Sequence, residues 1–151
     1  GWPGMKIAVC PGSFDPITVG HMDLVERAAA IFDRVILCVM VNGEKHPMFT
    51  AQERLEMARA AVAHIPNASA AAWDGLLARN CVDFDWEYQL AQINRDLCPE
   101  LDTVILPAQT RHLHISSTMV REMIRYQQRL DEYVPAGAAD ILHRIWEGKV
   151  Q

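Results

Sequence analysis

The sequence has no apolar run that approaches the roughly 18 residues of a membrane-spanning helix, and it shows no signal-peptide pattern. It also lacks an excess of basic residues: 14 lysines and arginines face 19 aspartates and glutamates, for a formal net charge of −5. A net negative charge argues weakly against a protein that coats nucleic acid or anionic membranes. We therefore expect a cytoplasmic protein without nucleic-acid or membrane partners, in which a bound phosphate would need a locally positive site.

Closely paired cysteines are missing as well. The chain has four cysteines, and no two of them show the CxxC spacing of zinc or redox motifs. Cys10 and Cys38 stand in apolar patterns, which favours buried, reduced thiols. With 151 residues, half of them hydrophobic, and no internal repeats, the chain fits one domain with a real core. We assign that domain to 5–151 and interpret 1–4 as a remnant of cloning.

What the sequence does contain is a regular alternation of short apolar runs and amphipathic helices in its first half. We predict strands over 5–10, 35–41 and 68–73 and helices over 19–32 and 51–65. Thr18 is suited to cap the first helix, and Thr50 and Glu53 form a capping box at the second. A β-α-β-α-β order with short links predicts a single-domain α/β protein: a Rossmann-like, doubly wound parallel sheet with helices on both faces.

The second half of the chain departs from this alternation. A crossover between parallel strands needs a dozen or more residues, usually a helix, before the next strand. After Trp73, however, the helical pattern covers only 75–81, and a second helix over 84–97 follows it. The pattern then predicts a strand over 101–106, a helix over 116–126 and a last helix that opens at Val134 and Pro135. One strand is thus missing from the predicted order near residue 81.

The stretch from Val9 to His21, VCPGSFDPITVGH, is the strongest candidate for a functional site. It follows the first predicted strand and opens the first helix. Ligands of open parallel sheets bind beyond the carboxyl ends of the strands, and backbone N–H groups at a glycine-containing strand-to-helix turn attract anions. His21, on the first helical turn, could add a hydrogen-bond donor or a positive charge. These residues predict a phosphate site.

In this context, Thr18-x-Gly20-His21 resembles the (H/T)xGH motif of the nucleotidyltransferase superfamily. The resemblance is closest to the bacterial phosphopantetheine adenylyltransferases, through the segments PGSFDPITVGH, KHPMFTAQER, DFDWEYQLAQINRDLCPEL and ISSTMVREMIR. It implies transfer of the adenylyl group of ATP, with Mg²⁺, to the phosphate of 4′-phosphopantetheine, which gives dephospho-coenzyme A and pyrophosphate. It also implies a homohexamer, a dimer of trimers. Such a reaction needs positioning and charge stabilisation more than an activated nucleophile.

The resemblance implies roles for individual residues. His21 would contact the α-phosphate, Lys45 would stabilise the pentacovalent transition state, and Ser13 would orient the attacking phosphate. The residues expected to bind ATP are Gly12, Ser13, Phe14, Gly20, His21, Glu87, Ile115, Ser116, Ser117, Thr118 and Arg125. Those expected at the phosphopantetheine are Ser13, Lys45, Leu77, Gln89, Leu90 and Asn94. Simpler interpretations stay open for four of them: His21 as a plain helix-start residue, Leu90 as core, Lys45 as an ordinary loop lysine, and Arg125 as a solvated residue at a helix end.

One segment that the resemblance implies is absent. The family has a phosphate-binding strand and loop of the form RGxR before its DFEYE segment, whereas here Cys81 and Val82 lead straight to Phe84. Either the protein has lost this segment, or an internal part of the natural chain is missing from the sequence. We favour the second, because losing an inner strand would break hydrogen bonds to its neighbours. A Cys81–Val82 peptide bond of about 1.33 Å would support the first.

Two histidines also depart from the family pattern. His112 and His114 stand at positions i and i+2 of an extended segment just before Ile115. Side chains with this spacing point to the same side of a strand. They could share a Zn²⁺ or Co²⁺ ion, or they could be solvated or stacking side chains.

Three functions are compatible with these features. The first is the phosphopantetheine adenylyltransferase reaction, which the segment DFDWEYQLAQINR favours. The second is a sibling enzyme that modifies another phosphate monoester, such as a nicotinate mononucleotide or glycerol phosphate. The third is a nucleotide- or metal-binding relative that has lost catalysis, supported by the missing arginine segment and the two histidines.

Overall fold

A computed structural model describes residues 6–41, 46–74, 115–126, 130 and 132–150 of the chain. The elements of these residues are, in order, β1 (Ile7–Gly12), α1 (Val19–Ile31), β2 (Arg34–Met40), α2 (Ala51–Val62), β3 (Ala68–Trp73), α3 (Ser117–Arg125) and α4 (Ala136–Val150). Each of them is predicted by the sequence, and the bounds differ from the predicted ones by three residues or fewer.

The three strands form a parallel sheet in the order β1-β2-β3. Cys10 of β1 lies opposite Leu37 of β2, which in turn lies opposite Ala70 of β3. The chain therefore leaves β1 after Gly12 and β2 after Met40 at the same edge of the sheet. This edge carries the stretch that the sequence singles out, and the predicted Rossmann-like α/β architecture is confirmed.

Both crossover helices, α1 and α2, cover the same face of the sheet, as two successive right-handed crossovers in one direction require. Strand residues Val35, Leu37 and Val39 point into this face and are almost completely buried. The helices meet them with a set of small and medium apolar side chains: Met22, Val25, Ala28, Leu55, Ala58, Ala61 and Val62. Burying this face supplies the main hydrophobic stabilisation of the described part.

The opposite face of the sheet carries Ile7, Val9 and Trp73, which are all exposed to between 42% and 48%. An all-parallel sheet normally has both faces covered. The helices predicted over 75–81 and 84–97 and the strand over 101–106 lie outside the described residues, as do Cys81, Val82 and Cys98.

The helix ends follow local chemistry. Thr50 and Glu53 form the predicted capping box at α2. This helix ends at Val62, however, and Ile65 belongs to a turn in which its N–H bonds to the Val62 carbonyl. The predicted end of the helix at residue 65, just before Pro66, is therefore wrong by about one turn. The Asn67 amide instead donates to two carbonyls at the end of α1, which fastens the α2–β3 link.

Two of the four cysteines can be compared with expectation. Cys10 and Cys38 are free thiols, and burial raises the pKa of both, which disfavours the reactive thiolate. Cys38 is buried and Cys10 only partly so. No helix in the described ranges has both the length and the apolar character needed to cross a membrane.

Candidate active site

The turn between β1 and α1 is buried along its whole length, from Ser13 to Thr18. Phe14 has a left-handed backbone with φ of 49°, which is uncommon for a large side chain. A Cβ atom on Gly12 would lie 3.0 Å from the Phe14 ring, so the turn leaves little space for a side chain at position 12. The Phe14 ring packs edge-on against the His21 ring, with 4.9 Å between centroids.

The imidazole of His21 is oriented by the N-cap of α1. The Thr18 N–H donates to His21 Nδ1 over 3.0 Å, and the His21 N–H donates to Thr18 Oγ1 over 3.4 Å. This is a capping box in which histidine takes the place of the usual glutamate or glutamine. Because a backbone N–H can only donate, Nδ1 must carry a lone pair, and the proton of the neutral ring sits on Nε2.

Burial lowers the pKa of His21 from 6.5 to about 4, so the ring is neutral at pH 7. Protonation would also place a hydrogen on Nδ1, facing the Thr18 N–H. Of the two roles that the sequence allows for His21, the free protein therefore favours the neutral hydrogen-bond donor over the positive charge. The donor is the Nε2–H.

This low pKa predicts that stability falls in mild acid. In the unfolded chain the imidazole binds a proton near pH 6.5, but in the folded protein only near pH 4. Between these values the unfolded state holds more protons, so the free energy of unfolding drops as pH falls, by up to about 3 kcal/mol. Urea unfolding from pH 7.5 to 4 should show this loss, and the His21→Gln variant should show a shallower slope by that amount. Equal slopes would contradict the low pKa.

A buried aspartate ties the β1–α1 turn to the loop after β2. Asp15 is 1% exposed, and its two carboxylate oxygens accept the N–H groups of Met48 and Phe49, each over 2.9 Å. Lys45 precedes this held segment by three residues, but it lies outside the described ones.

A buried arginine holds the same segment from α2. Arg54, 3% exposed, donates to the carbonyl oxygens of Phe49 at 3.1 Å, Ser13 at 2.8 Å and Met40 at 3.0 Å. It thereby joins the ends of β1 and β2. Sequence reasoning missed both Asp15 and Arg54. The available signal for Arg54 was its place in the apolar stripe of α2, where a charged residue must be buried with partners.

The amino end of α3 docks on the β1–α1 turn. Ser117 Oγ donates to the Pro16 carbonyl over 2.9 Å, and Ser116 Oγ caps the helix by accepting the Met119 N–H. Thr118 Oγ1 accepts from Arg121, a residue that the sequence did not single out. All three hydroxyls thus form hydrogen bonds within the protein. The groups at this end that suit a phosphate are the backbone N–H groups of the first turn, which have no partners within a helix.

The structure therefore brings together only part of the predicted site. Residues 12–21 and 115–118 meet at one edge of the sheet. Arg125, one turn beyond Arg121, is exposed and pairs with Glu122, which agrees with a solvated helix end. Outside the described residues lie the other predicted site residues: Lys45, Leu77, Glu87, Gln89, Leu90, Asn94, His112 and His114. The ligand roles of the whole set stay predictions.

Comparisons with known proteins agree with this geometry. The Cytidylyltransferase-like family model matches residues 9–86. Curated proteins named phosphopantetheine adenylyltransferase are similar along most of their length: that of Symbiobacterium thermophilum is 43% identical over 143 residues, covering 85% of this chain and 88% of the relative. That of Heliobacterium modesticaldum is 43% identical over 146 residues, covering 87% of each chain.

The relative from Shouchella clausii is 38% identical over 157 residues, covering 94% of this chain and 99% of its own. This alignment is longer than the 151 residues of the present sequence, so the relative has residues at some positions where this chain has none. Identity at this level over nearly the whole length, together with the histidine-bearing turn at the carboxyl edge of a parallel sheet, places the chain in the phosphopantetheine adenylyltransferase family of nucleotidyltransferases.

Proposed function

We propose that this protein transfers the adenylyl group of ATP to the phosphate of 4′-phosphopantetheine, a step of coenzyme A biosynthesis. An oxygen of the acceptor phosphate attacks the α-phosphorus of ATP, the bond from that phosphorus to the oxygen bridging to the β-phosphate breaks, and pyrophosphate leaves. The other product is dephospho-coenzyme A. The observation that carries the proposal is the buried turn that orients the His21 ring at the amino end of α1 and that also receives the amino end of α3, through the bond from Ser117 to the Pro16 carbonyl.

The described residues suit such a transfer because they supply donors rather than a nucleophile. Charge accumulates on the non-bridging oxygens of the α-phosphate as the new bond forms, and a fixed, neutral N–H donor stabilises that charge without a reorganisation cost. Both helix ends add a favourable dipole, and α3 adds the backbone N–H groups of its first turn. At α1, the N–H groups of Val19 and His21 already bond to the Tyr133 carbonyl and to Thr18 Oγ1. Ser13 would orient the acceptor phosphate, and Lys45 would neutralise transition-state charge.

The proposed Mg²⁺ would arrive with ATP. Within the described ranges, no group of three or more His, Cys, Asp or Glu side chains could hold a metal ion. At nucleotides, Mg²⁺ is usually held by substrate phosphates and water with one or two carboxylates. A Zn²⁺ or Co²⁺ ion at His112 and His114 is a separate proposal, carried only by their spacing.

Further proposals concern the whole protein. The family resemblance supports a homohexamer and a cytoplasmic location. We also propose that the natural chain has an arginine-containing segment between Cys81 and Val82. The family pattern supports its place and its arginines, and an alignment longer than this chain supports the presence of further residues. The intact mass of protein from the native source, compared with 17.0 kDa for this sequence, decides that point.

The test is an acceptor panel. Purified protein is incubated with Mg²⁺-ATP and, in turn, 4′-phosphopantetheine, nicotinate mononucleotide and glycerol 3-phosphate, and pyrophosphate release is followed. Mass spectrometry identifies the nucleotide product, and CTP replaces ATP in a parallel series. We expect rapid release only with ATP and 4′-phosphopantetheine. A faster reaction with another acceptor would favour a sibling enzyme, and tight ATP binding without any turnover would favour a relative that has lost catalysis.

A further inference from the structure

We propose that Asp15 is a positioning residue for catalysis, which holds three separate parts of the site in register without touching substrate. The inference rests on the proposed function for its kinetic consequence. Its structural basis is that one buried residue receives hydrogen bonds from both elements that face the β1–α1 turn: the loop after β2 and the helix α3.

The first connection runs through the carboxylate. Its two oxygens accept the successive N–H groups of Met48 and Phe49, each over 2.9 Å, and the residue is 1% exposed. Hydrogen bonds to a buried carboxylate are charge-assisted and stronger than neutral ones. Arg54 binds the Phe49 carbonyl over 3.1 Å, so this peptide unit is held at both its N–H and its carbonyl.

The second connection runs to α3. Arg121 Nη1 donates to the Asp15 backbone carbonyl over 2.7 Å and lies 3.5 Å from the carboxylate, while Nη2 donates to Thr118 Oγ1 over 3.0 Å. One planar guanidinium therefore joins the turn to the first turn of α3. Together with the bond from Ser117 to the Pro16 carbonyl, it sets how far the amino end of α3 stands from the turn that carries His21.

An in-line transfer that uses no side-chain nucleophile depends on the relative positions of the reacting groups. A displacement of about 1 Å between reacting groups can cost on the order of 100-fold in rate. Asp15 is two residues from Ser13, bonds to the segment that follows Lys45 and contacts the helix of Thr118 through Arg121. Loosening it would let these parts move relative to one another while each remains folded.

The test compares Asp15→Asn with a matched control. Asparagine has the same shape but keeps only one oxygen, so either Met48 or Phe49 loses its acceptor and Arg121 loses its counter-charge. We expect kcat for adenylyl transfer to fall by about 10- to 100-fold, with the Kd of ATP changed by less than about threefold. Glu53→Gln is the control, because this partly exposed carboxylate bonds to the Thr50 N–H and pairs with Lys149 rather than with a residue of the β1–α1 turn. It should lose stability but keep kcat.

A double-mutant cycle with Arg121→Lys separates positioning from general destabilisation. Lysine keeps the charge but cannot bridge two acceptors as a guanidinium does. If Asp15 and Arg121 maintain the same alignment, the kcat of the double variant should be no lower than that of the less active single variant. The proposal would be overturned if the fold-losses in kcat of the two single variants multiplied in the double variant. It would also be overturned by a kcat of Asp15→Asn within twofold of wild type, or by an equal loss of kcat in Glu53→Gln. All assays run at a temperature where circular dichroism shows full folding.

Hydrogen–deuterium exchange gives a readout that does not need activity. In Asp15→Asn we expect faster exchange both at 46–49 and at Ser117 and Thr118, because the two segments depend on the same residue. Faster exchange at 46–49 alone would refute the coupling, whatever the kinetics. If the wild-type protein turned over no acceptor, the proposed function would fail, while the exchange result would still decide whether Asp15 joins these segments.

Discussion

Replacing His21 with alanine is expected to lower kcat for adenylyl transfer by about 100- to 1,000-fold, the usual loss when one fixed donor to a developing oxyanion is removed. The imidazole is neutral, its Nδ1 is occupied by the Thr18 N–H, and only Nε2–H is left to meet a phosphate oxygen. Alanine also removes the acceptor for Thr18, so the variant should lose about 1 kcal/mol of stability. Steady-state kinetics and urea unfolding measure the two effects.

Two further substitutions separate the donor from the cap. Glutamine and glutamate at position 21 can both accept the Thr18 N–H and complete a capping box. Only glutamine also has an N–H that can donate. We expect both variants to be more stable than His21→Ala, but only His21→Gln to regain part of the lost kcat. If glutamine were as inactive as alanine, the essential property of His21 would be a positive charge acquired with substrate rather than a neutral donor.

Gly137→Ala is expected to be the most destabilising small substitution in α4. A Cβ at this position would lie 2.5 Å from the Ala60 carbonyl oxygen and 2.9 Å from its carbon. Both are backbone atoms of α2, so no side chain can turn aside, and α4 must shift away from α2. We expect a loss of about 1–3 kcal/mol, as for other overpacked contacts, measured by urea unfolding at pH 7.5.

The same helix provides the control. A Cβ on Gly148 would meet no atom within 4 Å. Alanine there should raise the free energy of unfolding by about 0.5–1 kcal/mol, because glycine in a helix loses more conformational freedom on folding. Opposite signs for the two glycine-to-alanine changes would confirm that α4 approaches α2 closely at its amino end. A neutral or stabilising Gly137→Ala would show that the two helices are further apart.

Local chemistry made most of the described fold predictable. The cap at Thr18 and the capping box at Thr50 depend on residues close in sequence, and the order of strands and helices along the chain follows from apolar runs separated by helical patterns. α2 ends about one turn earlier than predicted, because a turn closed by the Ile65 N–H follows Val62. The sequence also suggested that Ser116, Ser117 and Thr118 bind phosphate, without showing that their hydroxyls already have partners in the fold.

The alternating α/β order, the family and the position of the histidine-bearing turn follow from the amino-acid sequence, since they depend on neighbouring residues and on recognisable motifs. The protonation state of His21 and the importance of Asp15, Arg54 and Arg121 follow from the folded structure alone. Their partners lie far away in the chain: Asp15 bonds to residues 33 and 34 positions later, and Arg121 reaches back 106 positions. A side chain's pKa and its hydrogen bonds depend on what surrounds it in space, and no local pattern records contacts at such separations.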